Sequence, residues 1–220
     1  RTTGMARIVA HNAGDFTAIV EPGVPFAQLQ AELAKEDQMI ALDPPGGDAT
    51  IGGLVATGDS GPLRHRYLAP RDLVIGMKLA LSDGTVASAG GTVIKNVAGY
   101  DLSKLFTGSY GTLGLIAQIA LRLHPRPRTT ATAIGTSEDP ARLARAAAAV
   151  AREPLEADAF DVGWDAQGGA ILVRLSGDTA GDRVAKTLPL LAGAGLRTSV
   201  DESDERLWQR QREGQRSAEG

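Results

Sequence analysis

The chain has 220 residues, 23 basic and 26 acidic side chains, a net charge of −3 and no cysteine. That length supports a sizeable core and favours one domain plus a second part over one compact unit. The near balance of charge leaves no basic footprint for nucleic acid, and the missing cysteines exclude disulfides, thiolate zinc sites, iron–sulfur ligation and a cysteine nucleophile.

The segment DFTAIVEPG alternates Phe16, Ala18 and Val20 with Thr17, Ile19 and Glu21, the period of a strand. VPFAQLQAELAKE follows as a helix, with Pro25 in its first turn and Phe26, Leu29 and Leu33 on one face. MIALD is a short strand leading into the glycine-rich DPPGGDATIGGLVATGDSG. LVIGMKLALSDGTV is a strand closed by an Asp-Gly turn, and LGLIAQIALRL is a longer one with Leu115, Ala117, Ile119, Leu121 and Leu123 on one face. HPRPRTT is the expected boundary, giving domains over residues 1–128 and 129–220. Beyond it TATAIG reads as a strand, SEDPARLARAAAAVARE as a helix capped by Ser137 with Pro140 in its first turn, and AFDVGWD with GAILVRLSG as a hairpin. GDRVAKTLPLLAGAG is a helix expected to kink at Pro189, LRTSV a strand, and the tail begins as a helix. The order β-α-β-β-α-β is that of a ferredoxin-like split unit.

Glycine concentrates in two places: six fall within Asp43–Gly61, and Gly90, Gly91, Gly99, Gly108, Gly111 and Gly114 punctuate GGTVIKNVAGYDLSKLFTGSYGTLGLI. Neither stretch has the G-x-G-x-x-G spacing between a strand and a helix that a dinucleotide fingerprint needs, and no Gly-Lys-Ser/Thr follows to make a P-loop. Such loops often only turn the chain. Two of them, each beside small and hydroxyl-bearing residues (Ala49, Thr50, Ala56, Thr57, Ser60, Ser109, Thr112), offer amide donors with little bulk, which suits a diphosphate and a ring edge.

PPGGDATIGGLVATGDSGPLRHRYLAPRDLVIG followed by GGTVIKNVAGYDLSKLFTGSYGTLGLIAQIALRLHPRP resembles the FAD-binding domain of the vanillyl-alcohol oxidase / PCMH superfamily, over about residues 15–128. Within it the chain looks like the FAD-binding accessory subunits of bacterial glycolate oxidases. The resemblance implies an α+β fold: a PCMH-type FAD-binding domain over residues 1–128, then a ferredoxin-like cap over residues 129–220. It implies FAD as cofactor, passed by Pro45, Gly46, Thr50, Gly52, Gly53, Gly58, Ser60 and Gly61 on one side and by Gly111, Gly114 and Ile116 on the other. It places Glu21-Pro22-Gly23 near the adenine end, with Thr57, Arg64 and Asp72 as further contacts. The family carries an earlier Pro-Arg-Gly-Gly-Gly-type pyrophosphate loop, and this chain begins after that loop's place, without an initiator Met. A fragment with a truncated first domain and an incomplete cap is therefore expected.

Other residues are open to two readings. Arg64, His65 and Arg66 with Arg71 form a basic cluster that could face phosphate or a substrate carboxylate, or be a solvated loop. Lys95, Asn96, Tyr100 and Asp101 could line the flavin, or Asp101 could cap the LSKLF helix. Tyr110 is expected to pack, and Trp164 and Trp208 to fill a core or interface. His11, His65 and His124 lack metal-ligand spacing, so no metal is expected and no catalytic residue is assigned. The resulting expectation is an FAD-binding subunit of a flavin-dependent 2-hydroxy acid (glycolate) oxidoreductase. It would relay electrons beside a catalytic flavin subunit and an iron–sulfur subunit, and be inactive alone. The alternatives are a fragment of a stand-alone FAD-linked D-2-hydroxy acid dehydrogenase, or a scaffold subunit that has lost FAD. No apolar run approaches the roughly 20 residues of a membrane span and no signal peptide is evident, so a cytoplasmic location is expected, peripheral to the inner membrane through partner subunits.

Overall fold

The computed structural model describes residues 4–91 and 102–215. The chain forms two compact units, one of residues 1–61 and 68–126, the other of residues 62–67 and 127–220. The division falls between Arg126 and Pro127, within HPRPRTT. Nothing in the hydrophobic pattern marks Pro62–Tyr67 as part of the second unit.

The first unit is built on a five-stranded antiparallel sheet of order β1-β2-β6-β4-β5. Its strands are β1 (Ile8–Asn12), β2 (Thr17–Val20), β4 (Val74–Ala80), β5 (Val86–Gly90) and β6 (Leu115–Arg122). A two-residue ribbon joins β3 (Gln38–Met39) to β7 (His124–Pro125). Helix α1 (Phe26–Leu33) begins directly after Pro25 and buries Leu29 and Leu33 in a core with Val20, Leu79, Ile119 and Leu121. The register of β6 slips between Lys78↔Gln118 and Leu79↔Ile116, leaving Ala117 unpaired as a bulge. The slip shifts the alternation by one. Ile116 and Ile119 are both buried while Leu115, expected on the face of Ile119, is 49% exposed.

Helix α2 (Ile51–Thr57) lies inside the first glycine stretch, where Gly52 and Gly53 mask the helical pattern. Short helices α4 (Pro70–Leu73) and α5 (Leu102–Phe106) complete the unit, and Asp72 Oδ2 accepts the Ala69 N–H at 3.3 Å to start α4. Lys95, Asn96, Gly99, Tyr100 and Asp101 lie outside the described residues.

The second unit has a four-stranded antiparallel sheet of order β11-β8-β10-β9. Its strands are β8 (Thr130–Ser137), β9 (Ala159–Asp165), β10 (Gly168–Ser176) and β11 (Arg197–Asp201). Helix α6 (Pro140–Arg152) connects β8 to β9, and α7 (Ala180–Gly193) connects β10 to β11, the ferredoxin-like arrangement expected. Both helices pack on one sheet face around Ala133, Leu143, Ile171, Val173 and Leu191. The cap of α6 is Asp139, whose side chain accepts the Ala141 N–H at 2.8 Å; Ser137 Oγ instead accepts the Asp139 N–H at 3.0 Å. Helix α7 continues through Pro189.

The opposite sheet face is covered by α8 (Glu205–Gly214), which buries Trp208 against Ala159 and Leu172. Trp208 Nε1 donates to Thr132 Oγ1 at 2.8 Å, and Thr132 donates to Asp204 Oδ2 at 2.7 Å. Asp204, fully buried, also accepts from Thr130 and takes both ends of the Arg174 guanidinium, at 2.9 and 3.1 Å. A buried carboxylate with every lone pair engaged is tolerated where a half-satisfied one is not. Trp164 is 56% exposed and lies over Gly169 of β10, where a Cβ would stand 2.5 Å from the indole.

Candidate cofactor site in the glycine-rich loops

The main chain of α2's first turn is already spent. Ile51 N–H donates to Val24 O at 2.9 Å and Gly52 N–H to Pro22 O at 2.8 Å. Gly53 N–H donates to Thr50 Oγ1 at 3.2 Å, the helix cap. None of the three amides is left for a phosphate, so this helix start is a packing joint onto the Glu21–Val24 turn. Thr50 Oγ1 serves here as an acceptor, and its hydroxyl proton remains available for donation.

Two glycines are explained by the chain itself. A Cβ on Gly52 would stand 2.4 Å from Pro22 Cβ, and one on Gly61 would stand 2.0 Å from Asp43 O. Gly114 is similarly enclosed, 2.9 Å from Ala80 O. The Ile116 side chain, 6% exposed, is committed to the first core, because the β6 bulge turns it inward. These four positions therefore owe their residue types to packing.

The remaining expected positions are open. Gly46 is exposed at φ 80°, beside half-buried Pro45. Gly53 is exposed on α2, with Thr50 Oγ1 as the near neighbour of a built Cβ. Gly111 is exposed at φ 74°, and a Cβ there would meet nothing within 4 Å among the described residues. Ser60 is half-buried, and Thr57 Oγ1 donates back to Gly53 O at 2.9 Å.

The fold brings the two glycine stretches together. Gly108 N–H donates to Val55 O at 2.9 Å and Tyr110 N–H to Ala56 O at 2.8 Å. Gly58, the left-handed C-cap of α2 at φ 72°, faces Gly108, whose Cα would lie 3.5 Å from a Cβ at that position. Beside this junction the Ser109 hydroxyl is buried without a hydrogen-bond partner among the described residues. Native proteins leave few such groups unpaired. Tyr110 does not pack: it is 73% exposed at φ 54°, because its amide is drawn onto the end of α2.

At the other end of α2 the Glu21 carboxylate takes three bonds from Arg7, from the backbone N–H at 2.8 Å, Nε at 3.0 Å and Nη2 at 2.7 Å. Hydrogen bonds from the Arg7 side chain, then from its backbone N–H, hold the Glu21 pKa below its ordinary value. This fixes the turn whose Pro22 and Val24 carbonyls receive α2.

The basic cluster disperses. Arg66 donates through Nη1 to Glu156 O at 2.7 Å and faces Asp158 through Nε at 3.3 Å. His65 stacks at a tilt on Phe160, with ring centroids 5.8 Å apart. Arg64 and Arg71 are exposed. His11 is engaged with Gln38 at 2.9 Å. No group of three or more His, Cys, Asp or Glu suited to a metal occurs among the described residues. Sequence reasoning missed Asp43 and Asp158, two buried carboxylates in strand-flanking positions that carry no motif.

Open glycines, an unspent Thr50 proton, and a buried unpartnered Ser109 hydroxyl fit a flat, phosphate-bearing ligand, as FAD is. Comparison with known proteins agrees. Residues 1–90 match the family described as FAD binding domain. The chain is 40% identical over 125 residues to glycolate oxidase subunit GlcE of Escherichia coli (strain K12), covering 56% of this chain and 36% of that protein. It is 42% identical over 130 residues to a mitochondrial D-lactate dehydrogenase (cytochrome) of Arabidopsis thaliana, covering 59% of this chain and 23% of that protein. The chain thus aligns with about a third or less of the length of these relatives. Among solved structures, alkyldihydroxyacetonephosphate synthase shares the fold with a TM-score of 0.78 at 16% identity, over 95% of this chain and 44% of that one. The α+β FAD-binding fold expected from the sequence is borne out.

Proposed function

We propose for this chain, whose residues 1–90 match the family described as FAD binding domain, the role of FAD-binding part of a 2-hydroxy acid oxidoreductase of the glycolate oxidase type. One observation carries the reading: the two glycine-rich stretches meet at Gly58–Gly108 beside a buried Ser109 hydroxyl that lacks a partner among the described residues. The likeness to a glycolate oxidase subunit and to a D-lactate dehydrogenase supports the substrate class.

Ser109 and Thr50 would hold the cofactor by hydroxyl donation, and Gly46, Gly53 and Gly111 would admit it without side-chain bulk. Bound FAD would supply the redox chemistry, accepting electrons and passing them on. The chain's own residues bind and orient. His11 is engaged with Gln38 and His65 with Phe160, which favours an electron-relaying subunit over the site of 2-hydroxy acid oxidation. Partners that carry the substrate base, a second flavin subunit and an iron–sulfur subunit, belong to this proposal, as does a membrane-peripheral location. No helix among the described residues is long and apolar enough to cross a membrane.

The test is FAD titration of the full-length protein, followed by flavin fluorescence and a thermal melt. The expected result is a yellow protein whose cofactor is released on denaturation and whose Tm rises with added FAD, because a ligand that binds only the native state must stabilise it. Ser109→Ala should weaken FAD binding without lowering the Tm of the cofactor-free protein. A colourless protein with no thermal response to FAD would refute the assignment.

A further inference from the structure

The segment Pro62–Tyr67 leaves the first unit after Gly61, packs in the second, and re-enters the first at Leu68. It contains helix α3 (Arg64–Tyr67). Leu63 joins the small core of Trp208, Ala159 and Leu172. His65 lies on Phe160 of β9. Arg66 ties to the Glu156 carbonyl and to Asp158.

Asp158 is the buried end of this attachment. Its side chain is 4% exposed, against 41% for Arg66. Its charge is answered by the ion pair with Arg66, with the Tyr67 side chain beside it. Burial, and then the charge of Asp158, raise the Tyr67 pKa above its ordinary value. Removing the arginine from such a pair is costly, because the buried carboxylate is left as an unpaired charge.

Both exits of the segment are under constraint. On one side Gly61 is wedged against the Asp43 carbonyl, so the two ends of the first glycine stretch touch. On the other, Leu68 holds φ 70°, a left-handed conformation that a bulky residue adopts only when its surroundings enforce it. Leu68 follows directly on the strap, two residues after Arg66.

We propose that Asp158 is a positioning residue for the cofactor loop: by anchoring the Pro62–Tyr67 strap through Arg66 it fixes Gly61 against Asp43 and so sets the shape of the Asp43–Gly61 loop, without touching the cofactor. The inference rests on the FAD-binding reading of the first unit.

The experiment uses the full-length protein as wild type, Asp158→Asn, Arg66→Met and Arg66→Lys. Two signals are read: the rate of limited tryptic cleavage within the strap, where Arg64 stays available in every variant, and FAD affinity with the visible circular dichroism of the bound flavin. In Asp158→Asn and Arg66→Met, strap cleavage should accelerate and FAD affinity should fall roughly three- to thirtyfold, the span of coupling through residues that touch no ligand. The flavin dichroism should change, and Arg66→Lys should restore most of both. FAD should slow strap cleavage in the wild type. Arg66 is half exposed and its replacement leaves the sheet intact, so it decides the matter if Asp158→Asn fails to fold. Unchanged FAD affinity and dichroism in variants whose strap is cut faster would overturn the proposal, as would a cleavage rate that does not move. Wild-type protein that binds no FAD would overturn the reading of the first unit and the proposal together, whereas a wild type that binds FAD with insensitive variants overturns the proposal alone.

Discussion

Gly52 and Gly53 are adjacent, belong to one helix, and should respond to alanine with opposite signs. At Gly52 the new Cβ would meet Pro22 at 2.4 Å (Cβ), 2.8 Å (O) and 3.0 Å (Cα), all parts of a rigid turn. Overpacking of that kind costs about 1–3 kcal/mol. Displacing the turn also strains the bond from Gly52 N to Pro22 O, 2.8 Å long, which is worth about 1 kcal/mol. Alanine in place of glycine within a helix returns about 1 kcal/mol. The balance for Gly52→Ala is a loss of about 1–3 kcal/mol, and a Tm lower by roughly 2–12 °C for a chain of this size. At Gly53 a Cβ would approach Thr50 Oγ1 alone, at 3.2 Å, on an exposed face. There the propensity gain dominates, and Gly53→Ala should lie between no change and a gain of about 1 kcal/mol. Urea unfolding of the cofactor-free protein, followed by far-ultraviolet circular dichroism, measures both. Equal losses at the two positions, or a Gly52→Ala protein within about 0.5 kcal/mol of wild type, would show that the Pro22 joint is not what demands glycine.

Two further outcomes follow from the charged groups. Asp204→Ala strands the Arg174 guanidinium, which is only 20% exposed, and should cost about 3–5 kcal/mol in a thermal or urea melt; a loss below about 1 kcal/mol would mean that the pair is effectively solvated. Glu21 has a depressed pKa in the folded protein, so its contribution is present above the ordinary carboxylate value and lost as pH falls through the folded one. The stability gap between wild type and Glu21→Gln should be complete near neutral pH, narrow below about 4.3 and close in stronger acid. A gap that stays constant with pH would refute the role given to Arg7.

The second unit was legible because its signals are local. Alternation in AFDVGWD and GAILVRLSG, Pro140 in the first turn of α6 and the spacing of the elements lead to the ferredoxin-like unit, although the cap expected at Ser137 falls on Asp139. In the first unit, β2, α1, β4 and β6 show the same kind of pattern. What stayed hidden depends on contacts distant in sequence. Helix α2 reads as a loop because glycine lowers helix propensity, and its start is secured by carbonyls of Pro22 and Val24 instead. β1 is short and half-exposed, so alternation in IVAHN carries little weight. The β6 bulge at Ala117 turns Ile116 inward and Leu115 outward, and no composition signal announces it. For the site, glycine type alone could not separate Gly52 and Gly61, which accommodate Pro22 and Asp43, from Gly53 and Gly111, which are exposed. The strap role of Arg66 required Asp158, 92 positions away by subtraction of their numbers.

Both tryptophans, Trp164 and Trp208, lie in the second unit, one 56% exposed over Gly169 and the other 1% exposed beneath α8. Intrinsic tryptophan emission is therefore a reporter of the ferredoxin-like unit alone, with a red-shifted component from Trp164 and a blue-shifted one from Trp208. A melt followed at those wavelengths is blind to unfolding confined to the glycine-rich loops, whereas backbone dichroism registers it. Wherever the two curves separate, the distance between them is a direct measure of how independently the FAD-binding unit comes apart.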